Sequence, residues 1–137
     1  MTNLKFKIAV FDDDTEKYCI YPVEKLEWET NPEKLFAFYK YLPGIQCTTH
    51  IDTKRKNPPI LLQYTRLNDK NKKEIYEGDK LGGTWEDCCI MWCEKCCSFE
   101  LFACEDPSMC FACEGDVHWF EIIKDKDLEV IGNIYGN

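Results

Sequence analysis

The stretch Leu61–Asp79, LLQYTRLNDKNKKEIYEGD, decides how this chain is read. An apolar run, Ile60-Leu61-Leu62, continues into Gln63-Tyr64-Thr65 and reads as one strand. Asn68-Asp69-Lys70-Asn71-Lys72-Lys73 follows, too polar to bury and rich in residues that tolerate turn geometry. Glu74-Ile75-Tyr76-Glu77-Gly78-Asp79 closes the unit: Gly78 can take a positive φ, and Asp79 can hydrogen-bond its own local backbone. A new strand is expected directly after it. The segment is a joint between an earlier and a later part of the protein.

Before the joint, Leu4, Phe6, Ile8 and Val10 alternate with Lys5, Lys7 and Ala9, the pattern of a half-buried strand with its apolar face on the even positions. Asp12-Asp13-Asp14 reads as a turn, since the Gly and distal Glu of a calcium loop are not at their offsets. Lys17–Tyr21 returns as a second strand and completes a hairpin. Thr30-Asn31-Pro32-Glu33 has the chemistry of a helix start, and Leu35, Phe38, Tyr39 and Leu42 then share one helical face. A helix over 32–42 is therefore expected, stopped by Pro43-Gly44, its aromatic stripe serving as core or a subunit contact. Residues 45–59 read as a connection carrying the one basic cluster, Lys54-Arg55-Lys56, which reads as a solvated loop.

After the joint, Cys89–Trp92, Phe99–Ala103, Val117–Ile123 and Leu128–Ile131 are strand candidates. With the strand after Asp79 they suffice for a small five-stranded barrel, whose closure would remove exposed sheet edges. The expected fold class is mainly β, with an α+β part: a hairpin-plus-helix subdomain over residues 1–60 and a barrel-like subdomain over residues 61–137 with a cysteine-rich insert at 88–113.

The joint, together with LEVIGNIY at Leu128–Tyr135 and the strand KFKIAVFD at Lys5–Asp12, resembles the YopX family of phage and prophage proteins. The family more often carries Arg and Trp where Lys7 and Phe11 stand. The resemblance covers the first dozen residues and most of 59–137; residues 25–58 and the insert at 88–113 lie outside the general pattern. It implies a small phage-encoded cytoplasmic protein with a mainly β fold and no established activity. It also favours an SH3-like barrel over an open sheet, a choice that periodicity leaves open.

The 25 acidic against 17 basic residues give a net charge of −8, which works against binding phosphates by counterion release. Nucleic acid is thus not an expected partner. No apolar stretch reaches transmembrane length, and Lys5 and Lys7 interrupt any signal-peptide core, so the bacterial host's cytoplasm is the expected location. Thiols there stay reduced, so the ten cysteines are not read as a disulfide framework.

Cys93-Glu94-Lys95-Cys96 and Cys110-Phe111-Ala112-Cys113 are two Cys-x-x-Cys turns, and such turns can aim four thiolates at one point. Zn²⁺ suits that donor set because it imposes no ligand-field geometry and does no redox chemistry. Glu114-Gly115 after Cys113 allows the tight turn such a site needs. The pattern leaves the exact quartet open, because Cys88, Cys89, Cys97 and Cys104 lie nearby. The competing readings are buried free thiols and a redox pair, the latter disfavoured because no helix is expected after Cys96. His118 sits in a strand pattern and reads better as a strand histidine than as a fourth ligand; His50 stands in a polar loop without a partner. Glu74, Glu77 and Asp79 flank a turn and read as backbone caps rather than an acid–base pair.

With no nucleophile elbow, phosphate loop or paired-His motif, no enzyme is expected. The reading is a phage accessory protein that binds a macromolecule, such as a host protein, and forms a homo-oligomer through aromatics such as Trp28, Tyr39, Tyr41 and Trp85. The alternatives are an acidic inhibitor of a host defence or nucleic-acid enzyme, acting as a phosphate decoy, and a zinc-knuckle nucleic-acid-binding module.

Overall fold

The computed structural model describes residues 5–30, 33–52, 54–83, 87–106, 108–115 and 128–136. The chain divides into two compact units, Met1–Gln63 with Tyr135–Asn137, and Tyr64–Ile134. The described residues form ten strands and no α-helix. None of them forms a helix long and apolar enough to cross a membrane.

The first unit is an antiparallel meander. Strands β1 (Phe6–Asp12), β2 (Lys17–Thr30), β3 (Glu33–Leu42) and β4 (Ile45–His50) pair in sequence, and β5 (Ile60–Asn68) takes the free side of β1. The β1–β2 hairpin is as the alternation predicts, with Phe11 opposite Tyr18 and Asp12 opposite Lys17. Ile8 is fully buried, as its even position requires, but Ala9 is fully buried too, so β1 is covered on both faces. Ile8, Ala37 and Tyr39 form the core, with Val10, Tyr21, Val23, Leu26, Cys47, Ile51 and Leu61 packed around them.

The helix expected over 32–42 is corrected to strand β3. Leu35, Ala37 and Tyr39 also alternate with Phe36 and Phe38, and at period two both sets are apolar. β3 lies between β2 and β4, so both of its edges are hydrogen-bonded, with Trp28↔Leu35 on one side and Phe36↔His50 on the other. Aromatic residues fit that pleated surface better than a helix. Pro43-Gly44 is a hairpin turn rather than a helix stop, with Leu42 paired to Ile45 and Gly44 at φ +80°. The connection expected over 45–59 likewise begins with a strand, β4, which places His50 beside the Phe36 ring at 5.1 Å.

The second unit begins within β5, where Tyr64 and Asn68 face Tyr76 and Glu74 of β6 (Glu74–Tyr76). Strands β7 (Asp79–Gly82), β8 (Cys88–Cys93), β9 (Ser98–Ala103) and β10 (Glu129–Asn133) form an antiparallel sheet in the order β10-β7-β8-β9. The SH3-like barrel is therefore corrected: among the described residues this sheet is open, with β10 and β9 at its edges. Ile75, Leu81, Ile90, Leu101, Leu128 and Val130 form its core, each burial worth about 1.5–3 kcal/mol. The strand expected over 117–123, with His118, and the aromatic Trp85 lie outside the described residues.

The joint behaves as its residues dictate at Gly78 and Asp79, but Asp69, in the run read as too polar to bury, is buried, because backbone amides satisfy its carboxylate. Gly78 has φ +85°, a conformation that costs glycine no steric clash. The Tyr76 amide donates to Asp79 Oδ2 at 2.7 Å, the new strand β7 starts at Asp79, and Asn133 Nδ2 donates to Asp79 Oδ1 at 3.0 Å. Asp69, only 7% exposed, accepts from the amides of Asn71 (2.8 Å), Lys73 (2.9 Å) and Val130 (3.0 Å). One carboxylate thus shapes the turn and ties it to β10.

Candidate metal centre

β8 and β9 form a hairpin in which Cys93 pairs with Ser98, so residues 94–97 make the turn. Cys97 closes that turn with φ +53°, its Sγ directed at the Glu94 carbonyl at 3.3 Å. Cys96, not Cys97, is the second sulfur that this turn brings to Cys93. The second turn starts where Cys110 bridges Phe102 of β9 and the Phe111 amide donates to the Leu101 carbonyl at 3.0 Å. Residues 111–115 then wind back: the Glu114 amide donates to the Cys110 carbonyl and the Gly115 amide to the Ala112 carbonyl. Gly115 takes φ +86°, which the tight turn requires.

These two turns bring Cys93, Cys96, Cys110 and Cys113 together, with one sulfur from each within 4.8 Å of the others. Cys93 Sγ lies 3.5 Å and Cys96 Sγ 3.7 Å from Cys113 Sγ. A disulfide needs about 2.0 Å, and all ten cysteines are free thiols. A tetrahedron of sulfurs at about 2.3 Å from a central ion has edges of about 3.8 Å, so the observed spacing fits a four-thiolate metal site. Cys93 and Cys110 are buried, Cys96 is half-buried and Cys113 is exposed, leaving an ion a path of entry.

The electrostatics agree with the geometry. The Cys96 backbone N–H directed at Cys93 pulls that thiol down to about 7 against the cost of burial, and the thiols of Cys113, Cys110 and Cys96 add to the effect. Cys96 is pushed up by burial and its neighbours' sulfurs, and Cys113 is raised through its contact with Cys93. One thiolate, at Cys93, is therefore favoured among four sulfurs, and a cation at their centre would favour thiolate ligands.

The structure also sorts the cysteines whose roles the spacing leaves open. Cys89 is fully buried in β8 and is raised to about 12 by burial and then by Cys104; Cys88 is raised by burial. Cys89, with Cys104 packed against it, lines the apolar side of the hairpin that carries the quartet. Sequence reasoning misses this division of labour; its signal is the β-strand alternation, which puts Cys89 and Cys93 on one face while Cys88 packs against the core of Ile75, Leu81 and Leu101. Glu74 and Asp79 serve the fold, Glu74 accepting from the Tyr76 hydroxyl at 3.1 Å.

No curated protein matches the chain by sequence. A model of the YopX protein family matches residues 8–137, which takes in both units and the cysteine quartet. The chain belongs to the YopX protein family.

Proposed function

We propose that this chain is a non-catalytic phage accessory protein that holds a macromolecular partner, with a Zn²⁺ bound by Cys93, Cys96, Cys110 and Cys113 as a structural clamp. The observation that carries the clamp is the convergence of four sulfurs from two Cys-x-x-Cys turns. The segment between the turns supports it: Glu105 and Asp106 offer nothing apolar, and Asp106 is spent on a local turn with the Ser108 amide at 3.2 Å. A metal would fix this segment against the hairpin, its binding free energy becoming folding free energy. The binding role rests on large exposed apolar side chains in the first unit, Trp28, Tyr41, Leu42 and Ile45, each about half exposed or more. These residues also favour self-assembly. Metal analysis of protein purified without chelators tests the clamp, with one zinc per chain expected and less than half an equivalent refuting it. Light scattering tests self-assembly, with a mass above the monomer expected.

A further inference from the structure

The first unit holds a cavity of ≈ 460 Å³ with one aromatic wall and one acidic wall. Tyr21, Tyr39 and Tyr41 form the aromatic wall: the Tyr21 and Tyr39 rings stack at 5.1 Å and 24°, and Tyr41 tilts against Tyr21 at 5.9 Å and 54°. Asp12 at the end of β1, with Asp13 and Asp14 of the turn that follows, forms the acidic wall, and among the described residues no Lys or Arg lines the cavity. Within this wall, the Asp14 amide donates to Asp12 Oδ1 at 2.9 Å. Arg55 and Lys56 face a separate, smaller cavity that shares only Val10, Phe11 and Asp13 with this one.

We propose that this cavity takes the side-chain guanidinium of an arginine presented on a partner peptide. A planar cation is attracted by the electron-rich faces of tyrosine rings, and guanidinium stacks on them while its N–H groups reach carboxylates. The phenols of Tyr21 and Tyr39 remain neutral for this role. Burial and then the Cys19 thiol push Tyr21 up to about 12, and burial raises Tyr39. Val10 and the ring edges give the arginine stem an apolar surface. The chemistry is that of a partner carrying positive charge, which suits a chain of net charge −8.

The proposal rests on the reading that the chain works through a partner, but not on the zinc clamp, whose residues all lie in the second unit. Its test is a nuclear magnetic resonance titration of the whole protein with three probes: an acetylated, amidated Gly-Arg-Gly peptide, its neutral citrulline counterpart, and methylguanidinium. Saturable amide shifts confined to residues 10–14, 21 and 39–41 are expected with the arginine peptide and not with citrulline. The peptide is expected to bind about threefold or more tighter than methylguanidinium, because each stem methylene adds apolar contact. Tyr41 is 50% exposed, so Tyr41→Ala leaves the core intact; it is expected to weaken the peptide about tenfold, while Tyr41→Phe retains binding. Asp13→Asn with Asp14→Asn is expected to weaken it as well. Equal binding of the citrulline peptide, unchanged affinity in Tyr41→Ala, or methylguanidinium binding as tightly as the peptide overturns the proposal. Absence of any shift in the cavity, with a partner still retained by the protein in co-purification, overturns the cavity alone and leaves the partner reading standing.

Discussion

Replacing Asp69 with alanine removes one carboxylate from three backbone N–H groups at once. The three are not equivalent. The amides of Asn71 and Lys73 belong to exposed turn residues, so water can replace the lost acceptor at about 0.5 kcal/mol each. The Val130 amide is itself buried within the edge strand β10 and loses a charged acceptor outright, at about 2 kcal/mol. The sum, about 3 kcal/mol, is a large part of the stability of a domain of this size. Urea unfolding followed by circular dichroism should show the midpoint falling by about 1.5–3 M for an m-value of about 1–2 kcal/mol per M. Hydrogen exchange at Val130 should speed up before that of β8 or β9. Asp69→Asn should recover only part of the loss, since its amide nitrogen sets a donor against one of the three N–H groups. Asp69 also carries a sign in pH. Burial would raise it, but the N–H groups of Val130, Lys73 and Asn71 outweigh that and hold it below the usual carboxylate range. The native state therefore binds fewer protons than the unfolded chain below about pH 4, and the contribution of Asp69 is lost as pH falls through its lowered value. Asp69→Ala should accordingly flatten the acid limb of the stability curve. A variant within about 0.5 kcal/mol of the parent at neutral pH, with Val130 still protected, would refute this reasoning.

With zinc bound, at most six of the ten thiols, the ten less the four ligands, should react with a thiol reagent, the fully buried Cys89 slowest of the six, and chelator should release the remaining four. Cys110→Ser should halve metal occupancy or worse and speed amide exchange over Cys104–Gly115, while β6 and β7 keep their protection. Gly136→Ala should destabilise the first unit by about 1–3 kcal/mol, because the new Cβ would stand 2.9 Å from the Tyr18 carbonyl oxygen and 3.3 Å from Ile20 Cγ1; thermal unfolding reads this directly. Affinity for random duplex DNA at physiological salt should be negligible in a fluorescence anisotropy titration, and tight binding with a steep salt slope would promote the nucleic-acid reading.

What the sequence discloses follows the range of the interactions involved. The joint at Leu61–Asp79 is legible because Gly78 and Asp79 act on their own neighbours: a positive φ and a local carboxylate cap need no distant partner. The cysteine quartet is legible for the same reason, since each Cys-x-x-Cys turn positions its own sulfurs. β3 is not legible. Leu35–Leu42 satisfies both a helical stripe and a two-sided strand, and only β2 and β4, bonded to its two edges, decide between them. The open sheet is hidden too, because four or five short strands serve a barrel or a sheet equally until edge pairing is known. Asp69 stands between: its turn is readable, but its bond to Val130 spans 61 positions of chain and has no local signature.

The division of the chain has a consequence for the order in which it is made. Tyr64–Ile134 is one unbroken segment, whereas the first unit combines Met1–Gln63 with Tyr135–Asn137. During synthesis the strands of the first unit leave the ribosome early, but Gly136, which lies against Tyr18 and Ile20, arrives after all of the second unit. A nascent chain halted after Ile134 would hold every residue of the later unit and still lack the last contacts of the earlier one.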